Sequence, residues 1–199
     1  MKIVEKGNFG LIVQKLEENG TYDSVVKSIE GLISVALDSS QELANIAADD
    51  LPDYYSSKGP LRLTGTVTLA GVSVADYKDL FSVTEDANEV VVVGGNTEVR
   101  KLGLVFKNRA SNGSINQFSL NNVKLSLPPL NTATLDEAGT TIREFAIPLE
   151  ANPYEYTDAS GNTARVTYSI INSIKNATIW ESVKDKVYVP DTAITPEGE

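Results

Sequence analysis

Residues 61–81 constrain the fold of this chain more than any other stretch. Leu61-Arg62-Leu63-Thr64-Gly65-Thr66-Val67-Thr68-Leu69 alternates strictly. Leu61, Leu63, Val67 and Leu69 share one face, and Arg62, Thr64, Thr66 and Thr68 share the other. A period of two with β-branched residues predicts a half-buried strand. Gly71-Val72 ends it. Ser73 is placed to cap a helix, with Asp76 three residues on to complete a capping box near the positive helix end. Val74, Tyr77, Leu80 and Phe81 then fall on one helical face, which must lie on a sheet.

The rest of the chain predicts more strands. Residues 8–18 read as a strand leading into the turn Glu18-Asn19-Gly20-Thr21. Residues 30–38 alternate, with Ile33, Val35 and Leu37 on one face, and residues 41–48 are expected to return beside them. The acidic, aromatic segment 49–60 reads as a long loop. A strand at 89–93 runs into the turn Gly94-Gly95-Asn96. Residues 99–107 place Leu102, Leu104 and Phe106 in phase before the Asn112-Gly113 hairpin signal. The return strand changes phase at Asn121-Asn122, which predicts a β-bulge. Residues 141–151 form another strand, and Pro148 within it points to an edge or a bulge. A last hairpin joins 154–156 to 164–170, and a second short helix is expected over 178–186. These expectations define a mainly β protein: two packed antiparallel sheets, one flanking short α-helix and long loops, in a single domain over 1–199. Residues 1–7 form an extended N-terminal segment and 188–199 an extended tail.

Chemistry is restricted by what is missing. The 199 residues contain no histidine and no cysteine. No Ser-His-Asp triad, Cys-His dyad or zinc cluster of Cys and His can be built. Gly94-Gly95 lacks the spacing of a phosphate loop, and Asp158-Ala159-Ser160-Gly161 lacks the ligand pattern of a calcium loop. No cofactor or metal site is expected. Net charge is −10, from 27 acids and 17 bases, which disfavours a protein that binds nucleic acid by neutralising phosphates. No apolar run approaches the roughly 18 residues of a membrane span, so no membrane binding is expected.

Asp49, Asp50 and Asp53 cluster, and paired acids can hydrolyse glycosides. A solvated acidic segment is the commoner outcome. Tyr54-Tyr55 and Tyr154/Tyr156 suit either a sugar platform or a protein interface. The motifs Asn19-Gly20-Thr21, Asn112-Gly113-Ser114 and Asn176-Ala177-Thr178 read as turn chemistry.

Residues 28–83 carry a resemblance. The strand Gly31-Leu32-Ile33-Ser34-Val35-Ala36-Leu37 leads to Ala44-Asn45-Ile46-Ala47-Ala48-Asp49-Asp50. The Leu63–Leu69 strand and the helix ending Tyr77-Lys78-Asp79-Leu80-Phe81 follow. With Leu104-Val105-Phe106-Lys107, the polar hairpin and residues 118–127, this order resembles the major tail proteins of long-tailed, non-contractile bacteriophages, the tail-tube subunits. The resemblance implies a β-sandwich or barrel of the tail-tube type and no catalysis. It implies self-assembly into stacked hexameric rings lining a channel. It further implies a tape-measure protein, a tail terminator and a distal tail protein as partners, and non-specific passage of double-stranded DNA. The location implied is the virion tail, after synthesis in the host bacterial cytoplasm. Candidate contacts between subunits or rings are Asp49, Asp50, Asp53, Tyr54, Tyr55, Arg62, Thr64, Thr66 and Thr68. The alternative is a carbohydrate- or receptor-binding β-sandwich module of a baseplate or adhesin.

Overall fold

The computed structural model describes residues 5–48, 51–94, 99–129, 144–158 and 160–190. Its strands and helices are β1 (Glu5–Leu16), β2 (Tyr22–Ile29), β3 (Leu32–Ser40), β4 (Leu43–Ala48), β5 (Leu51–Lys58), β6 (Arg62–Leu69), α1 (Val74–Phe81), β7 (Thr84–Glu85), β8 (Val91–Val92), β9 (Lys101–Ala110), β10 (Ile115–Leu125), β11 (Phe145–Ala151), β12 (Tyr154–Thr157), β13 (Thr163–Val166), β14 (Tyr168–Asn172) and α2 (Ala177–Val183). The protein is mainly β, as its alternation requires.

One eight-stranded antiparallel sheet runs β2-β1-β9-β10-β11-β6-β3, with β14 branching from β10. The path curls until β3 lies close against β1, although no ladder closes it there. The two expected layers are therefore two parts of one sheet, sharing β10. The first half of β10 pairs β14 through Asn116 to Leu120, and the second half pairs β11 through Val123 to Leu125. The bulge expected at Asn121-Asn122 sits at this fork, and Asn122 takes a φ of 48°. Asparagine tolerates that left-handed conformation better than most residues. The bulge returns Val123 and Leu125 to the buried face that Leu120 occupies.

The core lies between the layers. Leu11 and Val13 of β1, Leu63, Val67 and Leu69 of β6, Leu102 and Leu104 of β9, and Ile147 and Leu149 of β11 meet there. Phe106 stacks on Phe118 with ring centroids 5.0 Å apart. Leu80 and Phe81 seat α1 on the core, with Tyr77 beside them. Ser73 caps α1, and the box with Asp76 is complete in both directions. Val74, expected on the packed face, is instead exposed.

Several expectations are corrected. Segment 49–60 is not a long loop: residues 51–58 are strand β5, which pairs with β4 in a two-stranded ribbon. Residues 41–48 accordingly pair with β5 rather than returning beside β3. The reason is register. The β3–β6 ladder ends at Ser40 opposite Arg62 and feeds directly into the ribbon. Gly59 N–H donates to the Glu42 carbonyl, and the Gln41 side chain donates to the Gly59 carbonyl, locking the base. A strand with one unpaired flank tolerates proline, so Pro52 does not break β5. Strand β2 is not legible in the sequence, because Tyr22–Ile29 lacks a clean period of two. The strand expected at 89–93 shrinks to Val91–Val92. The strand expected over 164–170 breaks at Thr167, where β13 leaves its hairpin and β14 joins β10. Of the N-terminal segment 1–7, residues 5–7 belong to β1; residues 1–4 lie outside the described residues. So do Gly95-Asn96 of the expected turn and residues 191–199 of the tail.

Pro148 lies on β11, an interior strand paired throughout with β6. Its carbonyl accepts from Ser126 N–H, just past the end of β10. Its nitrogen faces the same flank, where the β10 ladder stops at Leu125 opposite Leu149 and Ser126 is exposed, so the missing donor falls at the ladder's end rather than in its interior.

Candidate assembly surface

Nothing in the described residues gathers three or more Asp or Glu side chains into a metal-binding group. The surface features that stand out are strand edges and exposed apolar side chains.

The expected contact residues separate. Arg62 and Thr64 are exposed on β6, while Thr66 and Thr68 are half-buried on the same face. Their strand is not an edge: β6 pairs β11 on one side and β3 on the other. The threonine face is thus a sheet surface with no free backbone groups to offer a neighbour. Asp53, Tyr54 and Tyr55 lie on β5, in the ribbon. Asp49 and Asp50 lie outside the described residues. The ribbon makes its main contacts within itself, so it stands away from the rest of the sheet.

The sequence predicts Tyr168–Ile170 as the end of a single hairpin strand, and does not reveal that β14 is a separate strand with an open edge. Asn121 N–H donates to the Thr167 carbonyl, and Ser173 N–H donates to the Ile115 carbonyl. Backbone groups alternate sides along an antiparallel strand. The odd-numbered residues therefore bond β10, and the peptide groups of Tyr168 and Ile170 point away from it. Natural sheets guard such edges with charge, proline, bulges or a covering element. The sequence of β14, Tyr-Ser-Ile-Ile-Asn, carries no charged residue, proline or glycine. Tyr168 and Ile170 are exposed, Ile170 by 55%, and Ile174 follows at 62%. Ile171, on the opposite face, is buried. The available signal was the uncharged run 166–174, which the hairpin reading absorbed.

The opposite face of the same sheet is closed by the chain's own end. Gln14, Gln117, Ser119 and Asn121 project away from the core yet are buried. The segment after α2 covers them. Gln117 Nε2 donates to the carbonyls of Val183 (2.9 Å) and Lys186 (3.1 Å), and its Oε1 accepts from Asp185 N–H (3.2 Å). Gln14 accepts from Val187 N–H, Ser119 from Tyr188 N–H, and Asn121 donates to the Tyr188 carbonyl. Lys107 pairs with Asp185. Val187 sits directly over Gly103, where a Cβ would come within 2.4 Å of it. Tyr188, where the sequence predicts an extended tail to begin, is thus docked on the sheet together with Val187. Main-chain groups of the segment satisfy buried side chains that an open face would leave to water.

Tyr22 lies at the margin of this seam. Its hydroxyl donates to Asn121 Oδ1 and accepts from Asn122 N–H. Burial raises its pKa well above the ordinary tyrosine value. Burial also raises Tyr154, whose hydroxyl donates to the Gly20 carbonyl and whose ring lies 5.7 Å from that of Tyr22. Asp158 is held below the usual carboxylate range by the Asn162 N–H first, and Asp86 by the Val90 N–H first. Both carboxylates close turns.

Comparison with known proteins finds no family whose profile matches this chain and no curated protein similar to it.

Proposed function

We propose that this chain is a structural subunit that self-assembles through its sheet edges, of the tail-tube kind found in non-contractile phages. Copies form rings, rings stack, and the channel passes double-stranded DNA. The observation that carries the reading is β14: an uncharged, unguarded strand edge bearing exposed Tyr168 and Ile170. A monomer left with such an edge is an aggregation hazard, whereas an assembly uses it. Head-to-tail contacts close into rings when their rotation permits. The ribbon β4–β5, with Asp53, Tyr54 and Tyr55, stands clear of the sheet and supplies a natural reach to a neighbouring ring. Excess acid keeps a channel from trapping DNA. Hexameric symmetry, the tape-measure, terminator and distal tail partners, and a place in the virion rest on the resemblance alone.

The carbohydrate-binding alternative has less support. Tyr154, one of its platform residues, spends its hydroxyl on Gly20 and packs its ring by Tyr22.

The test is negative-stain microscopy with sedimentation of concentrated protein, beside the variant Ile170→Lys. Rings or tubes in the wild type, and their loss in a variant whose stability stays within about 0.5 kcal/mol, are expected for a surface change. A wild type that remains monomeric at every concentration overturns the reading.

A further inference from the structure

Resting on that reading, we infer which two strands join: the outer edge of β14 in one copy pairs with the outer edge of β2 in the next. The sheet path places β2 and β14 at the two ends of one layer, β2-β1-β9-β10-β14. Extending that layer from copy to copy needs its two ends to meet. The third terminal strand, β3, is the poorer partner. It ends the other part of the path and already lies close against β1 of its own chain.

Side chains agree with this choice. Val25 of β2 is 53% exposed, a match for Ile170 in kind and in degree. Ser24 beside it is exposed too. β2 carries two charges: Lys27 reaches Asp79 of α1 at 3.5 Å, and the Asp23 carboxylate accepts from Val25 N–H of its own strand at 3.0 Å. Pairing the neutral β14 with a strand whose Lys27 is engaged by Asp79 and whose Asp23 is hydrogen-bonded within β2 brings no unengaged charge to the junction. The occupant of the β14 edge is thus a second copy of this chain, through its Tyr22–Ile29 strand.

The absence of cysteine makes the test direct. Ile170→Cys is combined with Ser24→Cys or Val25→Cys in one series, and with Ile33→Cys on β3 in another. Assembled protein is oxidised and run under denaturing conditions, with each single-cysteine variant first checked for ring formation. A disulfide needs Cβ atoms within about 4.5 Å, so only true neighbours link. Covalent ladders from the β2 series, with none from the β3 series, are expected. Ladders from the β3 series alone overturn the pairing. Rings that form while neither series cross-links also overturn it, yet leave the tube reading standing. Absence of rings and of cross-links in every variant and in the wild type overturns the tube reading, and the pairing with it.

Discussion

Replacing Gln117 by alanine removes the side chain that does most to hold the C-terminal segment on the sheet. Gln117 is fully buried and makes three hydrogen bonds to that segment's backbone, at 2.9, 3.1 and 3.2 Å. Truncation leaves the Val183 and Lys186 carbonyls and the Asp185 N–H without this partner. At a net value of about 1 kcal/mol for each such bond, the loss is about 3 kcal/mol. With a urea dependence of about 2 kcal/mol/M, the unfolding midpoint falls by about 1.5 M. Equilibrium urea unfolding measures that shift, and amide hydrogen exchange locates it. The amides of Asp185, Val187 and Tyr188 exchange faster in the variant, because their acceptors lie on this seam. A midpoint within error of the wild type, with unchanged exchange at those amides, refutes the claim that side-chain amides latch the segment.

Gly65→Ala places a Cβ 1.9 Å from the Ala36 carbonyl oxygen, forcing β3 and β6 apart; a loss of about 3 kcal/mol or more is expected in thermal unfolding, and an unchanged midpoint contradicts the register. Ser73→Ala removes the half of the α1 capping box in which the Ser73 hydroxyl accepts from Asp76 N–H and costs about 1 kcal/mol by chemical denaturation, with Ser73→Asp restoring most of it. The pKa of Tyr22 is raised on folding, so its contribution to stability is full below the ordinary tyrosine pKa of about 10 and is lost as pH climbs from there toward the folded value. Tyr22→Phe is therefore less stable than the wild type near neutral pH, through its lost bonds to Asn121 and Asn122. The gap between the two narrows above about pH 10, and a gap constant up to pH 11 contradicts the assignment.

Local chemistry made much of the fold legible. Period-two alternation located β6, β9 and most of β10, and the phase change at Asn121-Asn122 marked the bulge, because each depends on neighbours in the chain. The capping box of α1 was legible for the same reason. In segment 49–60 acids and proline suggest a loop, while the continuing ladder of β3 and β6 decides the outcome from outside the segment. Strand β14 was hidden within a longer hairpin, since nothing local reveals which partner a strand will leave and which it will join.

The sequence by itself determined the chemistry available and the class of fold. Lacking histidine and cysteine, and alternating apolar with polar residues, the chain could build β layers around an aliphatic core and none of the sites that need those two residues. Only the tertiary structure decided which strand edges stay open. An edge is a relation between strands distant in sequence: β6, with its threonine face, is paired on both sides, whereas β14 is paired on one. The same holds for Gln14, Gln117, Ser119 and Asn121. Alone they read as surface residues, and they are buried because the chain returns, some 70 residues after β10 or later still after β1, to lay its backbone across them.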